Sequence, residues 1–341
     1  MRVARYYSNR DVRLEEMPVP KIGPGELLVK VISSGICGSD AMEWYRIKKA
    51  PLVLGHEIAG EIVEVGKGVR KFAVGDRVFI SHHVPCNSCR YCRSGNHTVC
   101  ETLRSTNFDP GGFAEYIRVP KINVEIGTFL LPDGMSFDEG AFIEPVACVV
   151  RGQRKAGMKS GQTVLVMGSG IAGILHIQLA KAKGAARVFA TDIGGYRLEA
   201  ARRFGADVVF RADEDVPTQL RKANGGHLAD LVILCAGVPQ ALAQAIKCAD
   251  AGGTILLFAP LKAGETFPFP IYEVWRDNIT LVNTYAGAPE DIIEAIDLIH
   301  SHRINVVDMI THRFGLAETG RGFELVAGAQ DSLKVIIEPQ R

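Results

Sequence analysis

The sequence predicts an α/β protein of two domains, one mainly β and one a doubly wound parallel sheet. Three observations carry this expectation. The chain has 341 residues, 47% of them apolar, more than one hydrophobic core of ~250 to 300 residues normally serves. Its first half reads as short strand-like runs broken by Gly and Pro. Beyond Ala147 such runs alternate with segments of helical period.

In the first half the strand-like runs are Glu26–Ser33, Ile58–Val65, Arg77–Ser81 and Ala114–Val119. In the second they are Thr163–Met167, Arg187–Asp192, Asp207–Phe210, Asp230–Cys235, Thr254–Phe258 and Thr280–Thr284. Ile171–Lys183 and Arg197–Phe204 lie between these and carry apolar residues at helical spacing, the pattern of strands joined by crossover helices. The tail from Tyr285 holds a helix at Pro289–Ser301 and a last strand at Leu333–Glu338.

A formal net charge of +1, with no long block of like charge, offers no field for nucleic acid or an anionic membrane. Met1–Arg13 mixes charged and apolar residues without the apolar stretch of a secretory signal. Apolar runs such as Leu231–Val238 fall short of the ~20 residues that cross a bilayer. The expectation is a soluble, cytoplasmic protein in a reducing compartment, acting on a small molecule.

Thr163–Met167 runs directly into Gly168-Ser169-Gly170-Ile171-Ala172-Gly173 and then into a helix. There the first glycine permits a tight turn, the second lets backbone approach a pyrophosphate, and the third lets helix and strand pack closely, with phosphate at the helix N-terminus. Asp192 closes the next strand, placed to accept hydrogen bonds from ribose hydroxyls and to repel a 2′-phosphate, so NAD is expected over NADP. Arg197 is read as a second ribose contact; attraction of a phosphate and a solvated helix face are its other readings.

Cys86, Cys89, Cys92 and Cys100 form C-x2-C-x2-C-x7-C, a spacing that lets four thiolates close one structural zinc site with no open position. The spacing matches neither common ferredoxin pattern. His82, His83 and His97 flank this filled shell and are read as ordinary loop histidines. Cys148, Cys235 and Cys248, in apolar surroundings, are read as small buried hydrophobes.

A second set of metal-ligand types is dispersed: Cys37, His56, Glu57 and Glu144. Singly, each has a plain reading as a core thiol, a loop histidine or a solvated carboxylate, although Glu144 amid Ala141, Phe142, Ile143, Val146 and Val149 would be costly to bury without a cation.

Gly55-His56-Glu57-x2-Gly60-x5-Gly66-x2-Val69 resembles the signature of zinc-containing alcohol dehydrogenases of the medium-chain dehydrogenase/reductase superfamily. The Cys37 motif, this signature, the four-cysteine loop, Gly111-Gly112-Phe113-Ala114-Glu115-Tyr116 and the glycine fingerprint follow in the family's order over essentially the whole chain. The resemblance implies a GroES-like catalytic domain at 1–147 and 285–341 and an NAD-binding Rossmann domain at 148–284. It implies a catalytic zinc between the domains on Cys37, His56 and a carboxylate, with an open position. Spacing does not decide whether Glu57 binds that zinc directly and Glu144 through water. Glu144 matches the glutamate of the sorbitol- and threonine-dehydrogenase-like branch, Asp40 the group that orients the ligand histidine, and Ser39 the hydroxyl that takes the alcohol proton.

The resemblance further implies a zinc-dependent, NAD-linked oxidation of a secondary alcohol or polyol to a ketone, two zinc ions per subunit, and a homo-oligomer, tetramer before dimer. A polyol phosphate, a sugar and an amino alcohol such as L-threonine are alternative substrates, and a catalytically silent nucleotide-binding relative is the alternative of another class. Met42 stands where many relatives carry a relay histidine. The stretch from Cys37 to His56 is short, and Arg46, Lys48 and Lys49 within it are read as a solvated basic loop, with contact to an anionic substrate as the competing reading.

Overall fold

The computed structural model describes residues 1–329 and 331–341. The chain forms two compact units, Met1–Ala147 with Ala286–Arg341, and Cys148–Tyr285. No helix among the described residues is long and apolar enough to cross a membrane.

The first unit is built on a sheet in the order Ile310–Gly315, Lys334–Glu338, Leu27–Gly35, Glu57–Val65, Arg77–Ile80 and Thr128–Leu130, with Tyr116–Val119 also paired to Leu27–Gly35. Leu27, Val29 and Val31 alternate along their strand and pack against Ile58, Ile62, Val78 and Ile117, the period-two pattern of a strand with one covered face. Val335 and Ile337 enter a separate core with Val3, Tyr6, Ile36, Phe113 and Phe323. Lys334 is one residue off that alternation, so its side chain leaves the other face of the strand.

Register here positions the site. Gly35 lies opposite both Glu57 and Ile336, so the end of one strand meets the start of a second and the body of a strand from the far end of the chain. Gly35 must be glycine for space: an added Cβ would run into the Glu57 carboxylate and come within 2.5 and 2.6 Å of Lys334 Cε and Nζ.

The second unit is a six-stranded parallel sheet in the order Val208–Arg211, Arg187–Asp192, Thr163–Met167, Ala229–Leu234, Ala249–Leu257, Thr280–Asn283. The strand order reverses between Thr163–Met167 and Ala229–Leu234, and ligands of such sheets bind at the carboxyl ends there. One core of Leu165, Met167, Phe189, Val232 and Ile255 lies against the sheet.

The predicted strands are present with ends moved by a residue or two, as fraying ends allow. Ala249–Leu257 starts earlier than Thr254, beside a register shift against Ala229–Leu234. Among the described residues five strands were not expected: the short Leu52–Val53 and Thr128–Leu130, and Arg2–Ser8, Asp11–Glu16 and Ile310–Gly315, of which the last three are longer. Arg2–Ser8 and Asp11–Glu16 pair with each other, and the former buries Val3, Ala4 and Tyr6 within a run of mixed charged and apolar residues. Ile310–Gly315 has little apolar alternation and owes its extended state to parallel pairing with Lys334–Glu338.

Candidate active site

Cys37 follows the strand Leu27–Gly35, and His56 and Glu57 enter the strand Glu57–Val65. Antiparallel pairing of these two strands brings one ligand atom from each of Cys37, His56 and Glu57 within 4.8 Å of one another. A thiol, an imidazole and a carboxylate so placed match a zinc site of three protein ligands with a position left open. Glu144, half-buried in the first turn of the helix Ile143–Lys155, is not part of that group.

Asp40 is fully buried, and its Oδ1 lies 3.2 Å from His56 Nδ1. In the neutral ring a metal would need, the carboxylate facing Nδ1 assigns the hydrogen to that nitrogen and leaves the Nε2 lone pair for the ion. Burial opposes the His56 cation, but Asp40 and Cys37 outweigh it and hold the imidazole well above its usual range. Burial likewise opposes the Asp40 carboxylate, and His56, Arg46 and the Cys37 amide reverse that and hold it below the ordinary carboxylate range. The Asp40 Oδ2 accepts from the Cys37 amide at 3.2 Å, and Cys37 Sγ accepts from the Ser39 amide at 3.4 Å.

Arg46 does not behave as a solvated basic residue. Its side chain is 15% exposed and turned inward: Nε donates to the Ser39 carbonyl at 3.0 Å, and Nη2 donates to Ser39 Oγ at 3.2 Å and to Asp40 Oδ1 at 3.4 Å. Lys48 and Lys49 are exposed, as a basic loop would have them. Met42 is the residue before the short helix Glu43–Arg46 that carries the guanidinium inward.

His82 and His83 are not plain loop residues either. The His82 ring is 4.8 Å from that of His56 and 3.8 Å from that of His83. Burial, then the nearby His83, His56 and Arg46, push His82 well below its normal range. His83 is lowered to about 4 by burial and by His56, Arg46 and Lys49. Two neutral imidazoles thus line the metal-type set.

In the second unit the glycine fingerprint has the geometry its mechanism needs. Gly168 has φ +94° at the turn, and a Cβ on Gly173 would collide with the Gly168 carbonyl. The helix Ile171–Ala182 starts directly after Gly170, with Ala172 in its first turn. Asp192 Oδ2 accepts from the Ser169 amide at 2.8 Å and Oδ1 from the Gly194 amide at 2.9 Å, which holds the carboxylate beside the loop. The Arg197 guanidinium would lie 3.7 Å from a Cβ on Gly170, over the same loop rather than out on a helix face.

Cys86, Cys89, Cys92 and Cys100 also have their sulfurs within 4.8 Å of one another. The Ser88 hydroxyl and the Ser88 and Cys89 amides lower the Cys86 thiol to about 5, while burial, then hydrogen bonding with the Cys89 and Cys100 thiols, pushes Cys92 up to about 12. Four such donors fit a closed zinc site. Of the remaining thiols, Cys248 lies in the core and Cys148 and Cys235 are half-buried.

Residues 23–127 match the alcohol dehydrogenase GroES-like domain family, and residues 172–301 match the zinc-binding dehydrogenase family. The chain is 33% identical over 325 residues to sorbitol dehydrogenase of Gallus gallus, covering 92% of this chain and 90% of that protein. It belongs to the zinc-containing alcohol dehydrogenase family. It is accordingly an oxidoreductase acting on CH–OH groups. Among solved structures it resembles a zinc-binding dehydrogenase from Sinorhizobium meliloti bound to NADP, with TM-score 0.88, 29% identity and 99% of each chain covered. It also resembles galactitol-1-phosphate dehydrogenase from Escherichia coli, with TM-score 0.87, 29% identity and 99% and 100% of the two chains covered.

One feature of this family member was not anticipated from sequence. Lys334, fully buried, forms an ion pair with Glu57 Oε2. A lysine in the otherwise apolar run Leu333–Ile337 was the available signal, since a lone cation in a buried strand requires an anion.

Proposed function

We propose that this dehydrogenase is NAD-linked, holds two zinc ions per subunit, and oxidises a secondary hydroxyl of a polyol to a ketone. The observation that carries the reading is the convergence of Cys37, His56 and Glu57 with Asp40 behind His56. Held by Cys37, His56 and Glu57, zinc would supply a Lewis acid for the alcohol oxygen, and NAD at the glycine loop would supply the hydride acceptor. Asp40 keeps His56 in the tautomer that presents Nε2. Ser39 Oγ accepts one hydrogen bond from Arg46 and has a second lone pair to receive the alcohol's proton as its own hydroxyl hydrogen passes outward. A thioether at Met42 takes no proton, so the onward path runs to solvent rather than through that residue.

The NAD assignment rests on Asp192, whose carboxylate would face a 2′-phosphate with like charge. Asp192→Asn removes the charge and keeps an oxygen acceptor for only one of the Ser169 and Gly194 amides. A hydrogen bond to a charged group is worth about 1.5 to 3 kcal/mol, so the preference for NAD over NADP should fall roughly 10- to 100-fold, read from kcat/KM with each cofactor. An unchanged ratio would move cofactor choice away from Asp192.

The reaction itself is tested by NADH formation across free polyols, polyol phosphates, sugars, threonine and simple secondary alcohols, together with zinc content. No turnover of any polyol by protein holding two zincs per subunit would overturn the substrate class. Arg46→Met in the same panel separates two roles. If Arg46 holds Ser39, kcat/KM should drop roughly 10- to 100-fold on all substrates alike, the worth of charge-assisted hydrogen bonds. A loss confined to phosphorylated polyols would instead put a phosphate on Arg46, the chemistry of the galactitol-1-phosphate dehydrogenase neighbour.

A further inference from the structure

Behind the metal-type set lies a cation that alcohol oxidation does not call for. Lys334 is 0% exposed and Glu57 1%. The lysine ammonium is ion-paired to Glu57 Oε2, donates to the Ile36 carbonyl at 3.4 Å, and lies 5.5 Å from the Phe142 ring centre. The pocket holding it is tight, since even a methyl group on Gly35 would strike both members of the pair. A buried ammonium at such a place costs stability unless an anion stays beside it.

The two outer groups have opposite signs. Asp40 is an anion that accepts from His56, which raises the donor strength of the other ring nitrogen. Lys334 is a cation on Glu57, which draws charge away from that carboxylate. Cysteine binds metal as thiolate, so Cys37, Asp40 and Glu57 supply three negative charges against the two positive charges of Arg46 and Lys334. A divalent ion then leaves the centre with one net positive charge. Without Lys334 that charge is zero.

We propose that Lys334 is a positioning residue that shares the Glu57 carboxylate with the catalytic metal, keeping Glu57 a weak ligand and the centre net positive. This rests on the reading of Cys37, His56 and Glu57 as the zinc site. A net positive centre favours the anionic form of a bound alcohol, and the strength of metal retention is given up in exchange. The direction is opposite to that of an ordinary outer group, whose removal loosens the metal.

The experiment compares zinc release to a chromogenic chelator from wild type, Lys334→Gln and Lys334→Met, all as full chains, with the four-cysteine zinc as internal reference. Outer-group changes typically move metal affinity 10- to 100-fold; here release of the catalytic zinc should slow by roughly that factor while the reference is unchanged. The metal-free form should lose more melting temperature than the zinc-loaded form, because its carboxylate has no cation left. Unchanged or faster release, or equal losses of melting temperature in both forms, overturns the proposal. Should neither single variant fold, Lys334→Met combined with Glu57→Gln leaves no buried charge unpaired. That pair must release zinc more slowly than Glu57→Gln alone, and equal or faster release overturns the proposal. Wild type holding a single zinc, in the four-cysteine lobe, would sink the zinc-site reading and the proposal with it, whereas two zincs with unaltered release sinks the proposal alone.

Discussion

Cys37→Ala should leave a folded protein with one zinc per subunit and turnover reduced about 1000-fold or more. Cys37 is half-buried just beyond the strand Leu27–Gly35. Its neighbour Ile36 belongs to the core with Tyr6 and Phe323, but Cys37 itself does not. Removing the sulfur therefore opens no apolar cavity of consequence, and the fold should survive. The substitution takes away one of three donors whose atoms lie within 4.8 Å of one another. His56 and Glu57 remain, and Glu57 is already held by Lys334. A Lewis acid contributes several kcal/mol to stabilising developing charge, and each 1.36 kcal/mol is tenfold in rate, which sets the size of the loss. Elemental analysis, circular dichroism and steady-state kinetics on the same sample check it. Near wild-type turnover from protein lacking the second zinc would dismiss Cys37, His56 and Glu57 as the reactive centre.

The second large effect belongs to the four-cysteine lobe. Its core consists of Cys92, Cys100 and Leu103, with Cys86 and Cys89 packed against them. Leu103 is the one residue of that cluster that is not a ligand candidate, so hydrophobic burial supplies little, and on the proposed reading a bound zinc would supply most of the folding energy of the lobe. Cys92→Ala should release that zinc and let a protease cut between Pro85 and Thr106 at least about 100-fold faster. Structural zinc in isolated fingers contributes on the order of 10 kcal/mol, and even a modest fraction of that gives such a factor. The proposed second zinc should stay, because its candidate ligands come from the strands Leu27–Gly35 and Glu57–Val65 and their ends. Limited proteolysis with mass spectrometry, alongside zinc content, checks both statements. Unaltered protection of the lobe in Cys92→Ala would show that its fold does not depend on the metal.

Much of this protein was legible in its sequence, and the legible parts share a property. The fingerprint Gly168 to Gly173 and the four cysteines from Cys86 to Cys100 each lie within one short stretch, so their geometry depends on local turns and short loops. The parallel strands of the second unit were legible for the same reason, each carrying a short apolar stretch flanked by Gly or polar residues. Asp192 sits at the end of such a run, and the turn after Met167 brings the Ser169 amide to it.

Apart from Asp40, which the family resemblance implied, tertiary structure decided the surroundings of Cys37, His56 and Glu57. Lys334 reaches Glu57 across 277 residues of sequence, and that meeting depends on Gly35 standing opposite Glu57 on one side and Ile336 on the other. Alternation along a strand specifies which face a side chain takes but not which strand lies beside it or in what register. Arg46 read as one cation in an exposed loop until the short helix Glu43–Arg46 turned it onto Ser39 and Asp40, and His82 read as a loop residue until packing laid it against His56. Composition and spacing determined which donors this protein owns. Strand register and burial decided which charges face them, because a buried charge is tolerated only where the fold brings a partner of opposite sign.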